Sequence, residues 1–467
     1  MDISGLRQTR RNLDKFIRRF DGCVKTRPSR RHMRTYLRGQ VSDLPRKNVE
    51  AIALEAGVVP RTLVQFLGLH RWDHEAVRLR VQDIVRRDHP DDNAIAVIDE
   101  TGMPKKGDKT VGVERQYCGA TGKIDNCVVT VNLGYVAGDF HALIDTDLYL
   151  PEKSWHDNRV RCRAAGIPDT VVYRPKWKIA LEQLNRAMDN GVRLRFLTAD
   201  EAYGGCSGFR DAVAALGMTY VVEVPRSTWG WTKKPPVIEP EASSAMGRPR
   251  TKPRLAAGSP PARRVDRLWR RGGPRWEFFH IKNTEKGPLV WEVRATRFFA
   301  SQESLPGQEG WLIVARNVSD GEVKYFLANA PRDFPIQQLL HIAFSRWHIE
   351  RIYEDAKGQV GLDQFQVHQY LPVMRHLILS MVSLLFLMKE TTRLREKKLS
   401  VERATGPLGC RSATGPDDPS APAPPATGED RCQAPILSSV PTTCCPNTSK
   451  KTTPQTQSER YLRLHVA

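Results

Sequence analysis

The stretch 345–367 reads SRWHIERIYEDAKGQVGLDQFQV, and its charged residues indicate how the distant parts of the chain come together. Its first half has helical periodicity, and we predict that the helix continues to about Lys357, where glycines begin to interrupt the pattern. At about 100° per residue, Arg346, Glu350, Tyr353 and Lys357 fall within one narrow arc of this helix. The residues that precede this arc on the same face of the helix are apolar, so the face is expected to be buried. Burying charged side chains costs free energy unless they pair with opposite charges or hydrogen-bonding groups. The arc therefore predicts a site shared with distant parts of the chain.

Two aspartates upstream are the candidate partners of this arc. Asp99 follows the apolar segment 94–98 (AIAVI), and Asp200 comes shortly after the segment 193–198 (RLRFLT). Both segments are predicted strands, and α/β sheets place their sites at the edge where the carboxyl ends of parallel strands meet. A single aspartate after a strand is more often a turn or cap residue. Three acids that converge from separate segments, however, indicate a divalent-metal site.

The charge balance favours a polyanionic partner. The 467 residues include 72 Lys and Arg against 52 Asp and Glu, which gives a net charge of +20. The excess is concentrated at the start of the chain, where residues 1–50 hold 14 basic and 5 acidic side chains. We expect nucleic acid to be the partner, ahead of an anionic membrane, and the alternative is a solvated basic surface.

Cysteine usage and hydropathy predict an intracellular protein. The nine cysteines form no CxxC pair, which argues against a disulfide framework or a zinc ribbon and favours reduced thiols. The chain opens with polar and basic residues instead of a signal peptide. The longest apolar run, 377–388, is too short to span a bilayer. We therefore expect a cytoplasmic, nucleoid-associated protein with no membrane segment.

Periodicity and composition divide the chain into five parts. The N-terminal part has short helical patterns near 49–56, 60–67 and 74–87, and its arginines favour DNA binding over a plain helical cap, although no recognition helix stands out. The predicted parts are a helical DNA-binding domain (1–90), the first section of a catalytic core (91–225), a β-rich basic insertion (226–330), the C-terminal helices of the core (331–395) and a disordered low-complexity tail (396–467).

The order of elements in the core predicts an α/β fold. Three strands (94–98, 126–136 and 140–149) precede alternating helices and strands, with strands at 193–198 and 218–224. A meander followed by βα units produces a mixed sheet with helices on its faces. After the insertion, we predict one helix over 331–357 and a second over 371–389.

Two further basic segments are candidates for DNA contact. Lys105 and Lys106 closely follow the first aspartate. In the insertion, Arg248 and Arg250 lie in a Gly-Arg-Pro-Arg segment that is similar to the core of a minor-groove AT-hook, although a flexible basic loop is the simpler interpretation. The insertion also contains Trp side chains that suit base stacking or core packing.

Taken together, these motifs resemble those of DDE transposases of bacterial insertion sequences. The segments VIDETGMPKKG (97–107) and LTADEAYG (197–204) are similar to the first and second aspartate motifs of that family. The family signature around the third acid is Y-x2-R-x3-E-x6-K. Arg346, Glu350 and Lys357 match its last three positions, whereas Ala343 stands at the position of the tyrosine.

The resemblance implies an RNase H-like core with a five-stranded mixed sheet, interrupted by the β-rich insertion. It implies that Asp99, Asp200 and Glu350 ligate two Mg²⁺ or Mn²⁺ ions and catalyse DNA cleavage and strand transfer. Arg346 and Lys357 would hold phosphates of the transposon end. The implied partner is double-stranded DNA, both terminal inverted repeats and target, with a homodimer in the synaptic complex.

Several alternatives stay open at this stage. Glu354 lies one turn beyond Glu350 and competes with it as the third acid. Tyr353 is either a structural or a DNA-contacting residue. In some relatives a Trp of the insertion stacks on a flipped base, for which Trp229, Trp231, Trp269, Trp276 and Trp291 are the candidates, with core packing favoured for Trp291. The alternative functions are an inactive DNA-binding transposase remnant and another RNase H-like nuclease.

Overall fold

The computed structural model describes residues 3–240, 251–269, 272–284 and 287–404. In it, the segment that follows the N-terminal helices forms a central strand of a mixed sheet. The described strands are β1 (Ile95–Pro104), β2 (Glu114–Cys118), β3 (Lys123–Ala137), β4 (Phe140–Leu148), β5 (Phe196–Ala199), β6 (Thr219–Glu223), β7 (Trp229–Trp231), β8 (Val237–Ile238), β9 (Arg254–Leu255), β10 (Arg263–Arg264), β11 (Glu277–Thr284), β12 (Gly287–Gln302), β13 (Leu305–Asn317) and β14 (Val323–Ala328). The predicted mixed α/β sheet is confirmed.

Helices flank this sheet and form the N-terminal part of the chain. In the described ranges they are α1 (Ile3–Arg18), α2 (Arg27–Val41), α3 (Val49–Glu55), α4 (Pro60–Gly68), α5 (His74–Asp88), α6 (Arg159–Ala164), α7 (Lys176–Asp189), α8 (Glu201–Gly204), α9 (Ser207–Ala215), α10 (Ile336–Phe344), α11 (Trp347–Val360) and α12 (Tyr370–Ala404). Helix α2 lies in the region 1–90 that was predicted to be helical but was not singled out there, although Thr26 caps it and Pro28 lies in its first turn.

The five predicted core strands lie side by side in the order β4, β3, β1, β5, β6. Strand β1 is antiparallel to β3 and parallel to β5, and β5 is parallel to β6. The short strand β2 pairs with the first residues of β3, from Lys123 to Cys127. The apolar first half of β1 is buried, as expected for a strand that is covered on both faces.

Most strands of the insertion continue the core sheet beyond its five predicted strands, whereas β8 and β9 form a separate two-stranded sheet. Strand β14 pairs antiparallel with β6, with Leu327 opposite Val222, so the insertion strands continue the same sheet to a total of 12 described strands. The reason is that the outer edge of β6 exposes backbone donors and acceptors that require partners.

The predicted single helix over 331–357 is also corrected, because the structure has two helices, α10 and α11. The break falls at Ser345, whose Oγ donates a hydrogen bond to the His341 carbonyl at 2.7 Å. The Arg346 amide donates to the Ala343 carbonyl, three residues back, so the chain turns more tightly here than in an α-helix. Helix α11 ends at Gly361, which has a left-handed φ of 71°.

Helix α12 is longer than the predicted 371–389 and continues nine residues into the predicted tail, from 396 to Ala404. The rest of that tail, 405–467, lies outside the described residues. By length and composition α12 could cross a membrane, but 83% of its most apolar window is buried in the protein. Tyr36 and Gln40 of α2 hydrogen-bond to its His376 and Ser380, both at 2.7 Å. Helix α12 is therefore a core helix beneath the N-terminal helices.

Candidate active site

The parallel register of β1 and β5 places two aspartates side by side. Ile98 is paired with Ala199, so the next residue of each segment is an aspartate. Strand β5 ends at this point, and Asp200 lies just beyond it. Strand β1 does not end at Asp99, as the sequence had suggested, because its pairing with β3 continues to Pro104. Asp99 is thus held within strand β1, and Asp200 is held just beyond the end of strand β5.

Asp200 is oriented by the helix that follows it. It is the N-cap of α8, and its Oδ1 accepts hydrogen bonds from the Ala202 and Tyr203 amides at 3.0 and 3.3 Å. An N-cap interaction of this kind fixes the side-chain rotamer and satisfies otherwise unpaired helix donors. The cap therefore holds the Asp200 carboxylate in place next to β1.

Asp99 has unfavourable surroundings for a negative charge. Its side chain is 14% exposed, and the Glu100 amide donates to its Oδ1 at 2.7 Å. Burial and the neighbouring Asp200 carboxylate raise the pKa of Asp99 to about 7, although Arg346 acts in the opposite direction. A carboxylate pair of this kind attracts a cation.

Arg346 is the side chain that links the helix arc to the strands. Its guanidinium lies 3.6 Å from Asp99 Oδ2 and donates to Glu350 Oε1 at 2.8 Å. Burial alone would lower the pKa of Arg346, but Asp99 and Glu350 raise it above its ordinary value. Glu350 itself is 59% exposed. The structure therefore brings Asp99, Asp200 and Arg346 together and connects Glu350 to them through the arginine.

Glu354, the competing third acid, lies one turn further along α11 than Glu350 and has different partners. Its carboxylate is 71% exposed and 3.7 Å from Arg351, which also binds Asp355 at 3.1 Å. These contacts keep Glu354 with the Arg351 group and not with Arg346. Of the two glutamates, only Glu350 is joined to the aspartate pair in the described part of the chain.

Other predicted DNA-contacting residues are engaged inside the protein. Tyr353 is buried, and its hydroxyl accepts from Asn132 Nδ2 at 3.1 Å. Lys357 donates to the Gly102 carbonyl at 3.1 Å, and burial lowers the pKa of its ammonium group. Tyr353 thus connects α11 to β3, the strand opposite Asp99, and Lys357 connects α11 to β1, the strand that contains Asp99.

The two predicted lysines after β1 differ in their surroundings. Lys105 donates to the Asp363 and Phe365 carbonyls at 2.8 and 3.1 Å, and its Nζ lies 3.4 Å from the Phe365 ring centroid. Burial lowers the pKa of Lys105 to about 8. Lys106 is exposed to solvent. Arg248 and Arg250 of the AT-hook-like segment lie outside the described residues.

The candidate Trp side chains of the insertion fall into distinct environments. Trp231 and Trp291 are buried, which agrees with the core packing favoured for Trp291. Trp229 is 50% exposed. Trp276 contacts two guanidinium groups, those of Arg294 at 4.3 Å and Arg316 at 4.6 Å from its ring.

Sequence reasoning missed two residues beside the acids. Asn132 lies directly opposite Asp99 in the β1–β3 register and is fully buried. Lys176, at the start of α7, forms a 2.7 Å ion pair with Glu100, the residue after Asp99. A polar residue within the otherwise apolar run of β3 was the available signal for Asn132. The sequence contains no comparable signal for Lys176.

The aspartate pair fits a divalent cation, because hard carboxylate oxygens are the ligands that Mg²⁺ and Mn²⁺ prefer. The raised pKa of Asp99 is the expected property of a buried carboxylate that has like charge beside it. In the described residues, no group of three His, Cys, Asp or Glu side chains is gathered closely enough to hold a metal by itself. In this arrangement Glu350 is paired with Arg346 and does not join the two aspartates in one cluster.

A pH-dependent effect on stability follows from the Asp99 environment. In the folded protein Asp99 binds its proton more tightly than in the unfolded chain, so its stabilising contribution is complete at low pH and is lost as the pH rises through about 7. Asparagine cannot ionise. We expect metal-free Asp99→Asn to be more stable than the parent at pH 8, on the order of 2–4 kcal/mol at about 1.36 kcal/mol per pKa unit, and the difference should shrink at pH 5.

Thermal unfolding in EDTA across this pH range measures that effect. Glu201→Gln is the matched control, because it also neutralises an acid at this edge of the sheet, next to Asp200, but Glu201 is exposed. A difference between Asp99→Asn and the parent that stays the same at every pH would contradict the argument.

The sheet edge thus presents two aspartates, an arginine and a glutamate from the interior of β1, the end of β5 and the start of α11. The chain belongs to the DDE superfamily endonucleases, a family that it matches over residues 19–276. That range contains Asp99 and Asp200 and ends before Glu350. The resemblance stated from the motifs is therefore confirmed at the level of the family.

A more specific similarity concerns a protein described as a probable transposase for insertion sequence element IS701, from Microchaete diplosiphon. The two sequences are 32% identical over 189 residues, which cover 40% of this chain and 46% of the relative. The match thus spans less than half of the length of that relative.

Proposed function

We propose that this protein is the transposase of a bacterial insertion sequence, which binds terminal inverted repeats and catalyses DNA cleavage and strand transfer. The observation that carries the proposal is the pairing of Asp99 and Asp200 on adjacent parallel segments, with Glu350 linked to them by Arg346. Membership of the DDE superfamily endonucleases supports the same chemistry. The strand order β4-β3-β1-β5-β6 supports an RNase H-like core.

In this proposal Asp99, Asp200 and Glu350 hold two Mg²⁺ or Mn²⁺ ions. Such ions would lower the pKa of a water or 3′-hydroxyl nucleophile and stabilise the leaving oxygen. The protein supplies the positions: the α8 cap fixes Asp200, and the pairing of β1 with β3 and β5 fixes Asp99. Arg346 is placed to exchange its carboxylate partners for a DNA phosphate, to which its planar guanidinium is well suited.

The remaining parts of the chain are proposed to bind and organise DNA. The helices of 1–90 form the DNA-binding part, 91–225 and 331–395 the catalytic core, and 226–330 the insertion. The net charge of +20 supports a DNA partner. A homodimer is the simplest complex that can pair two transposon ends, and a DNA substrate places the protein in the cytoplasm with the nucleoid.

The proposal is tested with the full chain and a linear duplex that carries both ends of the insertion sequence. We expect cleavage at the repeat termini with Mg²⁺ or Mn²⁺ and none in EDTA. RNA–DNA hybrids and branched DNA are run in parallel. Preferential cleavage of these would favour another nuclease activity, and specific end binding without cleavage in any divalent metal would identify an inactive remnant.

A further inference from the structure

Helices α3 and α4 are joined by a tight turn of four residues, 56–59. Gly57 in this turn has a φ of +64°, a left-handed conformation that glycine adopts without strain. Asn48 caps α3 by accepting a hydrogen bond from the Ala51 amide at 2.9 Å, and Pro60 occupies the first turn of α4. Two short helices that are joined by a turn of four residues with a glycine have the connection that is typical of a helix-turn-helix unit.

A third helix, α2, packs against this unit. Helix α2 approaches α3 so closely that any side chain at Gly39 would collide with Ile52. The Tyr36 and Phe66 rings of α2 and α4 lie 6.5 Å apart. From α12, Arg375 donates to the Leu67 carbonyl at 2.9 Å and so holds the end of α4. One face of α4 is thereby packed against the protein, and the opposite face is exposed.

The outward face of α4 carries side chains suited to reading base edges. Arg61 is exposed, Val64 is 46% exposed, and Gln65 is half-buried. Within the described residues, no hydrogen bond or ion pair engages the Arg61 or Gln65 side chain. Arginine pairs with guanine, glutamine pairs with adenine, and an apolar side chain contacts the thymine methyl group in the major groove.

Basic side chains lie beside the far end of α4. Ser29 Oγ and His70 Nδ1 are 2.9 Å apart, and the His32 and His70 rings are 5.4 Å apart, so the first turns of α2 adjoin this end. Four exposed basic residues come from these segments: Lys25, Arg27, Arg31 and Arg71. Cations that flank a reading helix contact phosphates and fix its register.

The outer surface of α3 has the opposite character. Glu50 and Glu55 are exposed on it, and Leu54 is 64% exposed. These carboxylates would be repelled by phosphates, so we expect α3 to stay outside the groove while α4 enters it. The cations beside α4 favour DNA over a protein partner for this face.

We propose that α4 is the recognition helix of a helix-turn-helix formed by α2, α3 and α4, and that it reads B-form DNA in the major groove through Arg61, Val64 and Gln65. The inference rests on the DNA binding in the proposed function but not on cleavage. Arg27 and Arg31 contact phosphates and carry no base preference.

The test uses the full-length protein and a pool of random-sequence duplexes, from which the bound fraction is recovered and sequenced. We expect the parent chain to select a defined site. Arg61→Ala or Gln65→Ala should lose about ten- to a hundredfold discrimination at one or two adjacent base pairs, because each bidentate contact distinguishes one base pair. Arg27→Ala/Arg31→Ala should weaken binding to all sequences and reduce its salt dependence.

Arg163→Ala, an exposed arginine on α6, is the matched control and should change neither readout. Unchanged melting temperatures would show that the variants are folded. The proposal is overturned if the α4 variants select the parent's site with the parent's discrimination, or if the parent selects no site. It is also overturned if the α4 variants change only self-association in sedimentation, which would make the face a protein interface.

The binding assay also separates this proposal from that of cleavage. Asp99→Asn should select the same site as the parent. If the parent selects a site that depends on α4 but cleaves no DNA, the recognition helix stands and the catalytic proposal fails. If the α4 variants cleave transposon ends as well as the parent does, the catalytic proposal stands and the recognition helix fails.

Discussion

Asp99→Asn is expected to reduce DNA cleavage on the order of a thousandfold, while binding of the same DNA is retained. Asp99 lies beside Asp200, with Arg346 3.6 Å away. Asparagine keeps the size of the side chain but removes the charge that would hold a divalent cation. Metal ions contribute several kcal/mol of transition-state stabilisation, and about 1.36 kcal/mol corresponds to a tenfold change in rate.

Single-turnover cleavage of an end-labelled duplex, with binding measured by fluorescence anisotropy, tests this prediction. Glu350→Gln should cause a loss of similar size. Glu354→Gln is the matched control, since it changes the same chemical group one helical turn away and Glu354 pairs with Arg351 instead. Retained cleavage in Asp99→Asn would contradict the assigned site, and loss in Glu354→Gln but not in Glu350→Gln would transfer the role of third acid to Glu354.

Arg78→Ala is expected to destabilise the protein by about 3–5 kcal/mol, because it removes one partner from a buried charge network. Arg78 on α5 is 1% exposed and lies 3.1 Å from both Asp145 and Asp147 of β4. From the other side, Arg186 on α7 binds the same two carboxylates at 2.8 and 2.5 Å. Without Arg78, two buried carboxylates would share one guanidinium.

The network has a structural role that explains the size of this effect. It connects α5, the last of the N-terminal helices, with the outer core strand β4 and with α7. Burial raises the pKa of Asp145 to about 6, even though both arginines oppose the shift. Asp147 is also buried, but Arg78 and Arg186 lower its pKa below the ordinary value.

Urea-induced unfolding at pH 7.5 measures this prediction. Arg80→Ala is the control, since Arg80 lies on the same helix but is 41% exposed and 3.9 Å from its partner Asp83, so its loss should cost less than about 0.5 kcal/mol. The combined variant Arg78→Met/Asp145→Asn should recover part of the lost stability, because Arg186 then pairs with Asp147 and the network no longer has an excess carboxylate. Equal unfolding free energies for Arg78→Ala and Arg80→Ala would show that the network does not stabilise the fold.

Local patterns were sufficient to predict much of the core. Five strands, the two aspartates that follow apolar segments, and the Arg346–Glu350 pair could all be located from the sequence, because period-2 and period-3.6 spacing act over a few residues. The same motifs indicated the endonuclease family, which the match over residues 19–276 confirmed. These features depend on residues that are close together in the chain, so they can be recognised from the sequence alone.

The tertiary structure decided how those residues are used. Lys105 and Lys357 have the same charge as Lys106, yet both donate to backbone carbonyls while Lys106 faces solvent. The exposed face of α4 and the continuation of the sheet from β6 to β14 likewise depend on contacts between segments that are distant in the chain. Burial and charge pairing are properties of three-dimensional neighbours. The sequence by itself therefore determined which groups are available for chemistry, and only the packing determined which of them meet, because a side chain's surroundings are set by segments that can lie hundreds of residues away.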